Sequence, residues 1–349
     1  MAARLKRIVV RAFGALAVAY PLALISAWLM LRFVGERWWV TGVLLFLPPQ
    51  GWLLPLPCVL LPLLVLRRWR LALLQLVSLA LVLFPLMGLT LSVPRGATGQ
   101  GPKLRVLSYN LNSGRGGIRP TIAEIESKNA DLLFLHELPD SDEMIEELRP
   151  RYSHIERSTE FVVASRFPIV STALPSRIPF FGVARSPRFW KVVVDTSLGK
   201  ITFFHVHTIS PRSGLYELRG KQGLRREITS GRLLSGANAD SLQRLAALRE
   251  LQIEALAKLA ALESGPVVIV GDTNLPELSP VRHRLLGHFQ DGFERVGTGF
   301  GYTFPSDRPW MRIDLVLASE ELRFEQFQVG DQVLSDHFSV VAQLVPAVP

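Results

Sequence analysis

Val267-Val-Ile-Val-Gly-Asp-Thr-Asn274 is the stretch on which the reading of the fold turns. Val267–Val270 are apolar in succession rather than in alternation, the pattern of a strand covered on both faces. Such a strand needs a packed layer on each side, which points to an α/β architecture. The run stops at Gly271-Asp272, with Asn274 two residues on. Polar residues at the end of a buried strand are where layered α/β folds collect their ligand-handling groups.

Working outward, strand-like runs recur at Leu104–Asn110, Leu132–His136, Phe161–Ala164, Lys191–Asp195, Ile201–Thr208, Ile313–Leu317 and Phe338–Leu344. Helical patterns cover Ile118–Lys128, Ser141–Leu148 and Ser241–Leu262. The last has Leu242, Leu245, Leu248, Leu251 and Leu256 marking one face. Strict βαβ alternation fails, and so does an all-β pattern. A layered α/β sandwich fits best.

Most of these runs end on a polar or ionisable residue. Asn110, Glu137, His207 and Asp272 close or follow strands. Asp314 opens one, and Ser335-Asp336-His337 precedes the last. Taken singly, each has an ordinary explanation as a turn residue, a surface acid or a hydrogen-bonded histidine. The ordered set is far more specific than its members.

Val106-Leu-Ser-Tyr-Asn110, Leu133-Phe-Leu-His-Glu137, Ala164-Ser-Arg-Phe-Pro168, His205-Val-His207, Val270-Gly-Asp-Thr-Asn274, Gly301-Tyr-Thr-Phe304, Arg312-Ile-Asp314 and Ser335-Asp-His337 follow one another across residues 103–345. In these stretches the chain resembles the endonuclease/exonuclease/phosphatase superfamily. The resemblance implies a deoxyribonuclease-like fold, a two-layer mixed β-sandwich flanked by helices. It also implies a hydrolase acting on phosphoric ester bonds with Mg2+, or Mn2+ in its place. By the same resemblance Glu137 is the main carboxylate ligand of the metal, with Asn110 beside it and Asp336 as a further ligand. His337 is the general base, or at least the imidazole nearest the attacking water, and Asp314 orients it. Asp272 and Asn274 position water and hold phosphoryl oxygens. His207 is the second imidazole, which stabilises phosphoryl charge or protonates the leaving group. Tyr302, Phe304 and Arg312 stand as substrate contacts.

The logic of that set holds without the family. Hydrolysis of a phosphate ester needs a nucleophilic water, neutralised phosphoryl oxygens and help for the leaving oxygen. One cation, two imidazoles and an Asp/Asn pair can supply these. Two departures mark this chain: His136 stands where the family often has Gln, and His205-Val-His207-Thr208 replaces the usual Asn-Thr-His-Leu. His205 and His207 share a strand face, so their roles could be exchanged, although position favours His207. Glu160 is the nearest acid that could pair with this imidazole.

The N-terminal third has a different composition. The 349 residues are 48% hydrophobic and carry 39 Lys+Arg against 30 Asp+Glu, with one cysteine. Mean hydropathy is +0.26 and the sequence pI about 10.1. Residues 1–93 hold nine of the basic groups and a single acid, Glu36. The basic excess therefore belongs to the apolar third, which removes the usual inference from high pI to nucleic acid. One cysteine, Cys58, excludes an intramolecular disulfide framework and a cysteine-based zinc site.

Residues 1–94 read as a membrane anchor of about three transmembrane helices, 12–31, 38–66 and 71–94. The middle run contains five prolines and reads either as one kinked span, the favoured choice, or as a re-entrant pair. Residues 95–102 read as a linker and 103–349 as the catalytic domain. Basic residues cluster before the first run and at Arg67-Arg68-Trp69-Arg70. The positive-inside rule then predicts a multi-pass protein of the cell (inner) membrane with an extracytoplasmic catalytic domain. A middle run that crossed twice would reverse that placement. No ionisable residue interrupts these runs, which weighs against a transporter.

The expected partners are the lipid bilayer and a phosphate-ester substrate: a lipid headgroup, a small organic phosphate or a nucleic acid. The sequence points to no protein partner. A nuclease needs a basic track, and only Pro211–Arg232 is locally basic after residue 94. That segment reads as a mobile surface loop, either a solvated insertion or a lid over an anionic substrate. An endonuclease or exonuclease acting outside the cytoplasm is the alternative substrate reading. A catalytically inactive tethered binding module is the alternative of another class, disfavoured because no metal or water-positioning residue is missing.

Overall fold

The computed structural model describes residues 2–92, 101–138, 142–219 and 240–347. Most of the expected 95–102 linker and positions 220–232 of the basic segment lie outside the described residues. Two compact units emerge: Met1–Thr90 with Leu278–Pro280, and Leu91–Glu277 with Val281–Pro349.

The first unit is helical: α1 (Ala2–Phe33), α2 (Trp39–Leu45), α3 (Pro55–Val65) and α4 (Trp69–Leu81). Two helices, Arg7–Phe33 and Trp69–Leu86, are long and apolar enough to cross a membrane. The expected middle span is not one straight element. Trp39–Leu45 and Pro49–Val65 meet at 96°, where the Pro48-Pro49 pair interrupts the hydrogen-bond ladder. Small and branched side chains, Ala17, Val59, Leu63 and Ala72, pack α1, α3 and α4 together. The buried Gln75 amide donates to the Ala17 carbonyl at 2.9 Å. An interhelical bond of this kind satisfies a polar group that hydrocarbon could not.

The second unit contains two six-stranded sheets. In chain order its strands are β1 (Leu104–Asn110), β2 (Leu132–His136), β3 (His154–Ser158), β4 (Phe161–Ser165), β5 (Ile169–Ala173), β6 (Ile178–Phe180), β7 (Val183–Arg185), β8 (Phe189–Thr196), β9 (Gly199–His207), β10 (Val267–Asp272), β11 (Gln290–Asp291), β12 (Asp314–Ala318), β13 (Leu322–Val329) and β14 (Val340–Pro346). One sheet runs β13-β14-β1-β2-β4-β3, the other β11-β12-β10-β9-β8-β5, and β6-β7 is a separate hairpin. Each large sheet has one parallel pair, β1 with β2 and β9 with β10, amid antiparallel neighbours. The mixed two-layer α/β sandwich expected from the sequence is the observed fold.

The side-chain period of two explains the layers. Alternate residues Leu104, Val106, Leu132, Phe134, Ile201, Phe203, Val268, Val270 and Val316 form the core between the sheets. The intervening residues face outward. Leu107, Tyr109, Leu133 and Leu135 pack under α5 (Ile118–Ser127) and α6 (Glu143–Leu148). After α7 (Arg212–Arg219) comes α8 (Asp240–Ala260), whose Ile253 and Leu256 cover Phe204, Val206, Ile269 and Leu317. This is why Val267–Val270 do not alternate: both faces of β10 are buried. The segment expected as an irregular basic loop is helical over Arg212–Arg219.

Candidate active site

The inward-facing row continues to the strand ends and changes character there. Beyond Val106 comes Asn110, beyond Phe134 comes His136, and beyond Phe203 come His205 and His207. Val270 is followed on the same face by Asp272, and Val316 is preceded by Asp314. Register completes the alignment. His207 pairs with Asp272, Asp272 with Asp314, and Asn110 with His136. The end of the core between the sheets is therefore polar and nearly all buried.

Asp272 stands at the middle. Its Oδ2 lies 3.8 Å from Nε2 of both His207 and His337. Its carboxylate is held by Asn274, whose backbone N–H donates to Oδ1 at 2.8 Å and whose Nδ2 donates to Oδ2 at 3.2 Å. The short turn Asp272-Thr-Asn274 explains that local geometry: Asn274 adopts φ +48°, which Asn tolerates better than most residues. Gly271 has φ +135°, and a Cβ there would meet the Val206 carbonyl oxygen at 2.0 Å. Only glycine lets β10 approach β9 so closely at this point. Burial raises the Asp272 carboxyl pKa to about 6, against the attraction of His337.

His337 Nδ1 donates to Asp314 Oδ2 at 2.8 Å, so its Nε2 points at Asp272. Burial alone would lower this imidazole, but Asp314 overrides it and the pKa rises to about 9. The second imidazole, His207, places Nε2 3.2 Å from Glu137 Oε1 and Nδ1 3.0 Å from Glu160 Oε2. Burial opposes its charge, yet the two carboxylates raise it to about 9. The hydrogen bond from His207 in turn holds the Glu137 carboxyl down to about 2. Asn110 Nδ2 also donates to Glu137 Oε1, 3.2 Å. Glu137 itself has φ +53°, a costly conformation for a non-glycine residue, and its carbonyl accepts from Ser113 N–H at 2.8 Å. Strain of this kind persists where the surroundings over-determine it.

The structure thus brings Asn110, Glu137, His207, Asp272, Asn274, Asp314 and His337 into one cluster. Phe304 belongs beside it, its ring 4.7 Å from that of His337. Asp336 stands at the rim, where Arg212 donates to its Oδ2 at 2.8 Å. Tyr302 stacks on Phe300 instead, with centroids 5.3 Å apart. Arg312 is a correction to the expected substrate contacts. It is buried, and its guanidinium donates to Asp291 at 2.7 and 2.9 Å, to Glu277 at 3.1 Å and to Glu294 at 3.2 Å. Its charge is spent inside the protein.

His205 and His207, on one strand face, lie in different surroundings. His205 is fully buried against Phe134 and Phe161, and its Nε2 lies 3.2 Å from His136 Nδ1. Burial lowers both His136 and His205 well below the usual imidazole range. The two rings sit nitrogen to nitrogen beside the cluster. Arg188 was not visible in the sequence as part of this region. Its Nε donates to the His207 carbonyl at 2.8 Å and its Nη2 to Glu160 at 3.0 Å. A lone arginine before a strand carries no signal. Only the antiparallel pairing of β8 with β9 brings it to His207.

The donor set suits a hard divalent cation. Glu137 is ionised and one-third exposed, and Asn110 adds an amide. Asp314 Oδ1 is buried without a hydrogen-bond partner among the described residues. His136, Asp272 and Asp314 also bring one ligand atom each to within 4.8 Å of one another. Oxygen-rich sets with few nitrogen ligands favour Mg2+ or Mn2+.

The model of the Endonuclease/Exonuclease/phosphatase family matches residues 107–337. The chain belongs to this family. Members of the Endonuclease/Exonuclease/phosphatase superfamily are hydrolases acting on phosphoester bonds. Among solved structures, an endonuclease/exonuclease/phosphatase from Beutenbergia cavernae is 18% identical over 70% of this chain and 72% of its own, with a TM-score of 0.53. A functionally unknown conserved protein from Enterococcus faecalis is 13% identical, with 70% and 100% covered and a TM-score of 0.48. Truncated TDP2 from Caenorhabditis elegans is 19% identical, with 69% and 97% covered and a TM-score of 0.48. At such identities the likeness is one of fold. No curated protein matches the sequence.

Proposed function

We propose that this protein is a membrane-anchored, Mg2+-dependent phosphoesterase that cleaves a phosphodiester or phosphomonoester by attack of an activated water. The observation that carries the reading is the placement of Asp272 Oδ2 at 3.8 Å from Nε2 of each of two imidazoles. A water between Asp272 and His337 has an acceptor for its proton, and a phosphoryl group beyond it meets His207.

Each residue then has a task. His337 keeps its Nδ1 proton on Asp314, which leaves Nε2 to take the proton of the attacking water when that nitrogen is neutral. Asp272, braced by Asn274, orients the water. His207 holds a proton at neutral pH and gives it to phosphoryl or leaving oxygen from Nε2. Glu160 and Arg188 hold its ring. Glu137 and Asn110 would hold the cation, with Asp336 joining them on release from Arg212. A bound divalent cation would supply charge neutralisation on the phosphoryl oxygens and a lowered pKa for water and nearby imidazoles.

Lipid headgroups and small organic phosphates are the favoured substrates. Residues 94–349 balance 30 basic against 29 acidic groups, with basic excess concentrated only in Pro211–Arg232, and anchoring raises the effective concentration of a membrane substrate. The test is the full chain in detergent or vesicles, offered bis-p-nitrophenyl phosphate, p-nitrophenyl phosphate, phospholipid and plasmid DNA, with Mg2+ or with chelator. Chelator-sensitive hydrolysis is expected. Failure on every substrate with both Mg2+ and Mn2+ would overturn the reading, and preference for DNA would overturn the substrate assignment.

A further inference from the structure

The hairpin of β6 and β7 takes no part in the mechanism above, and its sequence is costly for its shape. Among the described residues the two strands pair only with each other, Ile178 opposite Arg185 and Phe180 opposite Val183. The turn between them is Phe181-Gly182, with φ +48° and +74°. Two left-handed central residues make a tight hairpin turn that favours Asn-Gly or Gly-Gly. Gly182 meets that demand freely. A phenylalanine does not, because its bulk crowds the backbone at positive φ.

Burial does not repay the strain. Phe181 is 77% exposed and Val183 51% exposed. The ring touches only Phe180, 4.7 Å between centroids, and Arg244 among the described ring contacts, and a local rule broken for so small an internal gain marks a functional place. The hairpin's own segment is one-sided in charge, while Glu217 and Asp240 line the same hollow as Phe181, Arg185 and Arg244. From Phe161 to Val194 the chain contains Arg166, Arg177, Arg185, Arg188 and Lys191 and no acid. Arg166, Arg188 and Lys191 are paired with Asp131, Glu160 and Glu263. Arg177, just before the hairpin, and Arg185, the last residue of β7, form no salt bridge among the described residues. Arg244 from α8 sits 5.6 Å from the Phe181 ring and adds a third exposed cation.

We propose that this hairpin docks the catalytic unit on an anionic bilayer: Phe181 enters the interfacial layer, and Arg177, Arg185 and Arg244 hold lipid phosphates. An aromatic tip in a basic collar matches the headgroup region, apolar at depth and negative at its surface. The inference rests on the membrane-anchored reading above. The same chain carries two helices long and apolar enough to cross a bilayer, so a bilayer is the surface the catalytic unit meets at high effective concentration. The element is also joined to the chemistry. Three residues beyond β7, Arg188 donates to the His207 carbonyl.

The test uses the full chain with Cys58→Ser, carrying a single cysteine at Phe181→Cys for an environment-sensitive fluorophore. It is reconstituted in vesicles of phosphatidylcholine, with or without phosphatidylglycerol, that contain doxyl-labelled lipid. The same dye at exposed Glu320→Cys is the reference. A blue-shifted, lipid-quenched signal at 181 that strengthens with phosphatidylglycerol is expected. Loss of that quenching on adding Arg177→Gln and Arg185→Gln is expected too. A dye at 181 indistinguishable from the one at 320 in anionic vesicles would overturn docking. Flotation of the same vesicles reads the helical anchor separately. A chain that floats with 181 unquenched overturns docking alone, and one that does not float overturns docking and anchor together. Hydrolysis of soluble bis-p-nitrophenyl phosphate by the labelled chain reports on the catalytic reading by itself.

Discussion

Arg312 and Asp314 are two residues apart, both almost completely buried, and they belong to charge clusters of opposite character. Around Arg312, two guanidiniums face three carboxylates at close range: Arg282 and Arg312 against Asp291, Glu277 and Glu294. The cations push the Asp291 carboxyl pKa below its ordinary value, although burial opposes this. Around Asp314, one oxygen has no hydrogen-bond partner among the described residues, Asp272 is pushed up to about 6, and two imidazoles sit near 9. In the first cluster every guanidinium faces at least two carboxylates, although Arg312 Nε and Glu277 Oε2 are without a hydrogen bond among the described residues, and the pairing stabilises the fold. The second is strained electrostatically and opens to solvent through Glu137, which suits it to exchange protons and hold a cation. Burial and charge alone therefore do not mark an active site. Incomplete pairing in a reachable place does.

The largest effect that could break this contrast is on turnover. His337→Ala, Asp272→Asn and Glu137→Gln should each lower kcat by about 10²–10⁴-fold while the domain still folds and unfolds cooperatively. Steady-state rates on bis-p-nitrophenyl phosphate, paired with calorimetry, check this. Near-normal turnover in all three would refute the catalytic and metal-binding roles of these side chains.

The Arg312 cluster should respond the other way. Asp291→Asn leaves two buried guanidiniums short of their partner and should destabilise by about 3–5 kcal/mol. At this domain size that is a fall in Tm of about 10 °C. Activity per folded molecule should hardly change. A variant that keeps its Tm and loses kcat would move Asp291 and Arg312 into the catalytic group.

The pH dependence sharpens the comparison at a smaller scale. Folded His207 and His337 sit near about 9, above the 6.5 of a free imidazole. The folded chain therefore binds more protons than the unfolded chain between these values. The stability contributed is complete below 6.5 and is lost as pH rises through about 9. Asp272, raised from 3.8 to about 6, acts in the same direction over that lower interval. In chelator, Tm should fall from pH 6.5 to beyond about 9, and His337→Ala should flatten the slope. An unchanged slope would show that Asp314 does not hold a proton on that ring.

The smallest effect is expected at the rim. Phe304→Leu removes the ring 4.7 Å from His337 and should change kcat/KM by about threefold to tenfold, the worth of one aromatic contact. A larger loss would bring Phe304 into the catalytic group itself.

Much of the fold could be read in advance where both faces of a strand are buried. Leu104–Asn110 and Leu132–His136 were expected with the boundaries observed, and Val267–Asp272 to within one residue. Edge strands were hidden. His154–Ser158 is largely exposed and polar, and Ile169–Ala173 is exposed at all but its first residue. An edge needs no hydrophobic face to hold its register. Leu322–Val329 does alternate and could have been recognised by its period. In the helical part, composition marked apolar runs but could not reveal the 96° break.

From sequence alone came the layered α/β class, the apolar N-terminal runs and the strand ends that carry polar residues. These follow from local rules, because period and hydropathy report which face a residue takes and where a strand stops. Only the folded chain decided which of those residues meet. Glu160 reaches His207 across 47 positions and Arg188 across 19, while Arg312 turns to Asp291 across 21. Such pairings depend on sheet order and close packing, which no local pattern encodes. The same arginine, carboxylate and imidazole types thus become scaffold at one place and chemistry at another.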